Sequence, residues 1–198
     1  MISETLVLSA VILVSLTSVY ILVSADWRYC IAALAIQYIG IFLLVGASWP
    51  IELAVVKMVA GWMAGAILAI AMSSGAEVWL KSEGSVKFGP VFRIIAAAII
   101  ALAVTSFVRS SESWLSMISI PIRWGSFILI GIGLLQLCLT SHPLRVIIGL
   151  LTALSGFEII YAVIETSILV TGLLAGVNIG LTLVGAYLLI SPTMEMSK

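Results

Sequence analysis

Residues 144–164 read LRVIIGLLTALSGFEIIYAVI. About 20 mostly apolar residues, rising ~1.5 Å each as a helix, match the ~30 Å hydrocarbon thickness of a bilayer. Only Arg145, near one end, and Glu158, towards the other, interrupt the run with charge. Its apolar residues do not alternate as the strands of a barrel must. A helix, which satisfies its own backbone in lipid, is therefore the expected form. Six further runs of the same kind flank it, over residues 4–24, 27–48, 50–73, 91–108, 123–140 and 167–191. The expectation is an all-α integral membrane protein with seven transmembrane helices.

Composition points the same way. Hydrophobic residues make up 63% of the 198 positions and charged residues 9%, against roughly 25% charged in soluble domains. Too few polar side chains remain to cover a soluble body. The formal net charge of zero argues against nucleic acid or an acidic polymer as main partner. The first run lacks a basic flank and is too long for a signal-peptide core, so it reads as a retained span.

The breaks between runs have local causes. Ala25-Asp26-Trp27-Arg28 is a tight polar corner, and Trp49-Pro50 ends the second run because proline disfavours helical geometry in the residue before it. Residues 74–89, punctuated by Gly75, Gly84, Gly89 and Pro90, form the longest polar loop. Within the second, 109–122, the stretch Trp114 to Ile118 has the character of a segment lying flat in the interface. Ser141-His142-Pro143 makes a short turn, and its lone histidine reads as a solvated loop residue. With this division Arg28, Lys81, Lys87, Arg93, Arg145 and Lys198 fall on one side, and Arg109 and Arg123 on the other. The positive-inside rule makes the first set cytoplasmic, with the N-terminus outside and the C-terminus inside. Trp27, Trp49, Trp79, Trp114 and Trp124 all fall near run ends, as interfacial belt residues should.

Ionisable groups inside spans are expensive and so are candidates for function. Lys57 lies seven residues in from Pro50, and Glu158 seven residues in from Glu165, each ~10 Å deep from the same face. An ion pair between them would offset the desolvation of both. It could act as a structural clamp or as part of a proton path; alternatively each residue faces a separate partner or snorkels. Gln37, Gln136 and Asn178 are neutral polar groups expected to bond between helices. Gly61 and Gly65 make one small-residue step, and Gly172, Gly176 and Gly180 a double one. Both are expected as helix-packing faces, within one bundle or between two copies. Cys30 and Cys138 sit in apolar runs with no second ligand at metal spacing, so they read as buried, reduced thiols. No phosphate loop, dinucleotide fingerprint or zinc-type histidine pair appears. No metal, cofactor or catalytic group is expected in this chain, and any catalysis belongs to another.

The stretch Ile130-Gly131-Ile132-Gly133-Leu134-Leu135, followed by Ser141-His142-Pro143-Leu144-Arg145 through Gly149-Leu150, resembles the first two helices of the K subunit of respiratory complex I and of the C subunit of Mrp-type cation antiporters. Asn178-Ile179-Gly180-Leu181 is similar to that family's third helix. Tyr29-Cys30 at the start of the second run and Lys57 in the third resemble the front half of the E component of group-four membrane-bound hydrogenases. That component has seven helices, the rear three K-like. The resemblance implies two regions: a front four-helix membrane region, 1–108, and a K-like three-helix region, 109–198. It departs at the acids. The two glutamates of K-type subunits fall here on Leu151 and Gly176, leaving Glu158 as a displaced candidate.

The resemblance thus implies a non-catalytic subunit of a complex-I-like, redox-driven ion-translocating complex, such as an NADH or ferredoxin dehydrogenase or a membrane hydrogenase. Its partners would be lipid and antiporter-like subunits, joined by this chain to the redox-coupled end. Its place would be a bacterial or archaeal cytoplasmic membrane or an energy-transducing equivalent. A stand-alone small transporter and a non-conducting assembly scaffold are the rival expectations.

Overall fold

A computed structural model describes residues 4–80, 89–165 and 167–196, with side chains described over 4–74, 89–165 and 167–191. Among them there are seven long helices and no strand: α1 (Glu4–Val23), α2 (Trp27–Gly46), α3 (Ile51–Leu80), α4 (Pro90–Ser110), α5 (Ile120–Leu139), α6 (Pro143–Ile164) and α7 (Ile168–Met196). Each is long and apolar enough to cross a membrane. Lys81, Lys87 and Lys198, which enter the charge count, lie outside the described residues, as do residues 81–88 of the polar loop 74–89.

Helix ends follow from local chemistry. The Asp26 carboxylate accepts the Arg28 backbone N–H at 2.9 Å and caps α2. Proline occupies the first turn of α4, α5 and α6, where its missing N–H removes nothing. Pro121 lets α5 begin at Ile120, earlier than the expected 123. Ser73 and Ser74 were expected to close the third run, yet α3 continues past them. Their hydroxyls donate back to the Ile70 carbonyl at 2.8 and 3.0 Å, so the helix itself satisfies both polar groups.

The helices pack as two rows of three. α1, α2 and α3 form one row and α5, α6 and α7 the other; α1 lies on α5, α2 on α6 and α3 on α7, while α4 closes the α1/α5 edge. The expected boundary between front and rear regions, 108/109, falls inside the last turn of α4, and both rows contribute to a single main core. One end of the bundle, here the corner end, carries the α1–α2 and α5–α6 turns. The opposite end carries the α2–α3, α4–α5 and α6–α7 connections. At that opposite end a short 3-10 turn, Ser111–Ser113, precedes the stretch expected to lie flat. There Leu115 and Ile118 turn into the core while Trp114 and Met117 face outwards.

The closest helix crossing is α5 on α6. A Cβ on Gly133 would stand 2.6 Å from the Ala153 backbone nitrogen and 2.8 Å from the Gly149 carbonyl oxygen, and one on Gly156 would stand 2.5 Å from the Ser126 carbonyl oxygen. Backbone meets backbone here, so only hydrogen fits at those positions. Gly61 makes a different kind of room: the Tyr38 ring occupies the space where its Cβ would be. Gly172, Gly176 and Gly180 were expected to pack within a bundle or between copies. They face outwards on α7 with nothing against them among the described residues, because α7 turns its opposite face, with Thr171, Ala175, Asn178 and Thr182, to the interior.

Candidate functional site: a buried ion pair held by three helices

Lys57 stands two turns into α3 and Glu158 an equal distance from the end of the antiparallel α6. The two side chains form a direct ion pair, 4% and 2% exposed. α3 and α6 are not close packing neighbours; they occupy one diagonal of the square made by α2, α3, α7 and α6. The four-carbon lysine stem crosses that diagonal. Asn178 on α7 supports the acceptor side, its Nδ2 donating to Glu158 Oε1 at 3.4 Å. Thr182 in turn donates to the Asn178 carbonyl at 2.7 Å. Three of the four helices around the square therefore hold one charge-neutral cluster. Desolvating each ion alone costs several kcal/mol, which the opposite charge at contact offsets.

A cavity of about 10 Å³ touches the pair, lined by Val45, Trp49, Thr171 and Leu174. That is close to the smallest space that admits one water. Trp49 covers it from the opposite end, its indole N–H donating to the Glu165 carbonyl at 3.0 Å and tying the end of α2 to the end of α6. Towards the corner end, Ser155 and Thr152 follow Glu158 at three-residue spacing along one buried face of α6. Ser155 donates to the Tyr38 hydroxyl at 3.5 Å. Gln37 is fully buried beside Tyr38, and neither end of its amide has a hydrogen-bond partner among the described residues. The bond between helices expected of it is thus not found among the described residues. Gln136 does bond: its Nε2 donates to the Arg145 carbonyl at 2.8 Å, joining α5 to α6.

The sequence reading treated the arginines as markers of sidedness and missed their structural work. Arg93, Arg123 and Arg145 each sit in the first turn of a helix, where the helix dipole disfavours a cation. All three are buried and reach the carbonyl-rich end of another helix or turn. Arg93 donates to the Leu22 carbonyl at 2.9 Å, and Arg145 to the carbonyls of Ser24 at 2.6 Å and Ala25 at 3.3 Å, so two helices hold the end of α1. Arg123 donates to the Val108 carbonyl and the Ser111 hydroxyl, both at 3.4 Å, and caps α4. A cation in a first turn was the available signal: its local penalty calls for a specific acceptor.

His142 is half-buried in the α5–α6 turn rather than solvated. Burial, and then the neighbouring Arg145 charge, hold its imidazole below the ordinary value of 6.5. Cys30 is buried, its thiol 3.8 Å from the Ser24 carbonyl oxygen, whereas Cys138 faces outwards on α5; the two are not bonded. Among the described residues no cluster of His, Cys, Asp and Glu could hold a metal ion. No protein-family model matches the chain, and neither a curated protein nor a solved structure matches it significantly.

Proposed function

We propose that this chain is a membrane-embedded, non-catalytic subunit of a complex-I-like, redox-driven ion-translocating assembly, and that its contribution is mainly architectural. One observation carries the reading. The intramembrane ion pair joins a lysine of the front helices to a glutamate of the rear, K-like helices, so the charge that distinguishes this chain binds its two regions together. The resemblance of the rear helices to K-type subunits supplies the setting, and the outward glycine stripe of α7 supplies a free face at which a neighbouring helix could approach closely. The cluster offers one carboxylate, one amine and a space of a single water. That is one station of a proton path at most, since a relay needs groups at successive intervals.

On this reading the corner end is cytoplasmic and the N-terminus lies outside. Purification from the native membrane in mild detergent tests the assembly directly. Antiporter-like membrane subunits together with redox subunits are expected to co-purify; a monodisperse single chain with transport activity of its own overturns the reading. A cysteine in place of Ser85, in a background without Cys30 and Cys138, is expected to be labelled only from the cytoplasmic side.

A further inference from the structure

At the corner end, the outer surface between α2 and α3 opens into an apolar groove of about 320 Å³. Small residues make its floor, Ala32 from α2 and Gly65 and Ala66 from α3, and two tryptophans mark its limits. Trp27 stands at the mouth beside Arg28, whose guanidinium lies 5.3 Å from the ring centroid. Trp62 closes the other end: its indole N–H crosses from α3 and donates to the Ala35 carbonyl of α2 at 3.1 Å. Along α2 the distance from Arg28 to Ala35 is ~10 Å. The volume lies at the low end of the range for small-molecule sites.

Arg28 is the fourth arginine in a helix first turn, and it differs from the other three. Arg93, Arg123 and Arg145 are buried and spend their guanidinium groups on backbone carbonyls. Arg28 is exposed, and no hydrogen bond or ion pair from its guanidinium is found among the described residues. A cation at an interfacial level, with an apolar slot running inward beneath it, is complementary to a molecule with an anionic head and a hydrocarbon tail. The length of the slot separates this occupant from a protein helix. A spanning helix would need a seam through the full ~30 Å core, and Trp62 stops the groove after ~10 Å, within one leaflet.

We propose that the α2/α3 groove holds an acyl chain of an anionic phospholipid whose phosphate rests on Arg28. This rests on the chain being membrane-embedded and is independent of which complex it joins. The site is specific for headgroup charge: a zwitterionic lipid presents the same tail but carries its own cation beside the phosphate.

The test uses the full chain reconstituted in phosphatidylcholine nanodiscs containing about one part in ten phosphatidylglycerol, with retained lipid counted by native mass spectrometry after release. Wild type is expected to keep one phosphatidylglycerol per chain, enriched over its share of the bilayer. Arg28→Gln is expected to lower that retention about fivefold, the size of one basic residue's attraction to an anionic membrane surface, whereas Arg28→Lys retains most of it. Ala66→Phe fills the slot and is expected to abolish retention of either lipid; Ala32→Phe blocks the same slot from the facing wall if the first variant fails to fold. Equal retention of the two lipids by wild type overturns the proposal, as does phosphatidylglycerol held by Arg28→Gln or by the blocked variants at the wild-type level. A photo-crosslinker at position 66 that captures a protein segment instead of lipid in the native membrane overturns it too.

Discussion

Replacing Lys57 by methionine and Glu158 by glutamine, singly and together, separates a clamp from a pair of independent residues. Both side chains are almost fully excluded from solvent and each is the other's only counter-ion among the described residues. Lys57→Met leaves an uncompensated carboxylate. Its cheapest escape is to take a proton, which from an ordinary carboxyl value of about 4.3 costs ~3.7 kcal/mol at pH 7. Glu158→Gln leaves an ammonium, and discharging it from about 10.4 costs ~4.6 kcal/mol. Both ceilings agree with the roughly 3–5 kcal/mol measured when one partner of a buried pair is removed. The double variant leaves no charge, keeps a side-chain carbonyl for Asn178 Nδ2, and is expected within about 2 kcal/mol of wild type. Additivity would predict about 8 kcal/mol for the pair, so the coupling should be near 6 kcal/mol. Unfolding by dodecyl sulfate in mixed micelles, followed by far-ultraviolet circular dichroism, measures all four proteins. A double variant as unstable as the sum of the singles, or singles within 1 kcal/mol of wild type, would refute the clamp.

If the assembly reading holds, Glu158→Gln should lower the yield of intact complex more than it lowers ions moved per electron by the complex that forms; vesicle reconstitution normalised to assembled protein decides this. Gly133→Ala should cost ~1–3 kcal/mol, because its Cβ meets the Ala153 and Gly149 backbones. Gly176→Ala should leave the isolated chain unchanged or up to ~1 kcal/mol more stable, since the position is open and alanine is the better helix former. Micelle unfolding compares the two. Arg145→Met should destabilise by ~1.5–3 kcal/mol through lost charged hydrogen bonds to the Ser24 and Ala25 carbonyls. His142 is held below 6.5 in the folded chain, so the unfolded chain takes the proton first. Stability should therefore fall as pH drops through 6.5 towards the folded value. His142→Gln should flatten that part of the pH profile, and Arg145→Met should narrow it.

The seven helices were legible because each apolar run is long and almost free of charge, a pattern that depends on no contact between runs. The meeting of Lys57 and Glu158 was legible in depth, since two charges at equal offsets from the same face share a level whatever the packing. That α2 and α7 stand between their helices was not, because no local pattern specifies the neighbours of a helix whose whole circumference is apolar. The glycines show the same limit. A small-residue step states that a close approach is possible there, and the structure makes its closest approach at Gly133, Gly149 and Gly156, while the regular stripe at Gly172, Gly176 and Gly180 stays open. Gly149 and Gly156, one on each side of Ala153, formed an equally readable small face on α6. The arginines were read only for sidedness, although their first-turn positions already marked them as needing distant acceptors.

The latch at the end of α1 has a consequence for the order of biosynthesis. Ser24 and Ala25 leave the ribosome about 120 residues before Arg145, and Leu22 some 70 before Arg93. The α1–α2 hairpin must therefore wait with its corner carbonyls served by water or other transient partners while the next helices are made. Arg93 can close the first of these contacts when α4 arrives, and Arg145 the others only with α6. A chain truncated after α5 would contain every residue of the corner and still lack two of the three contacts that fasten it.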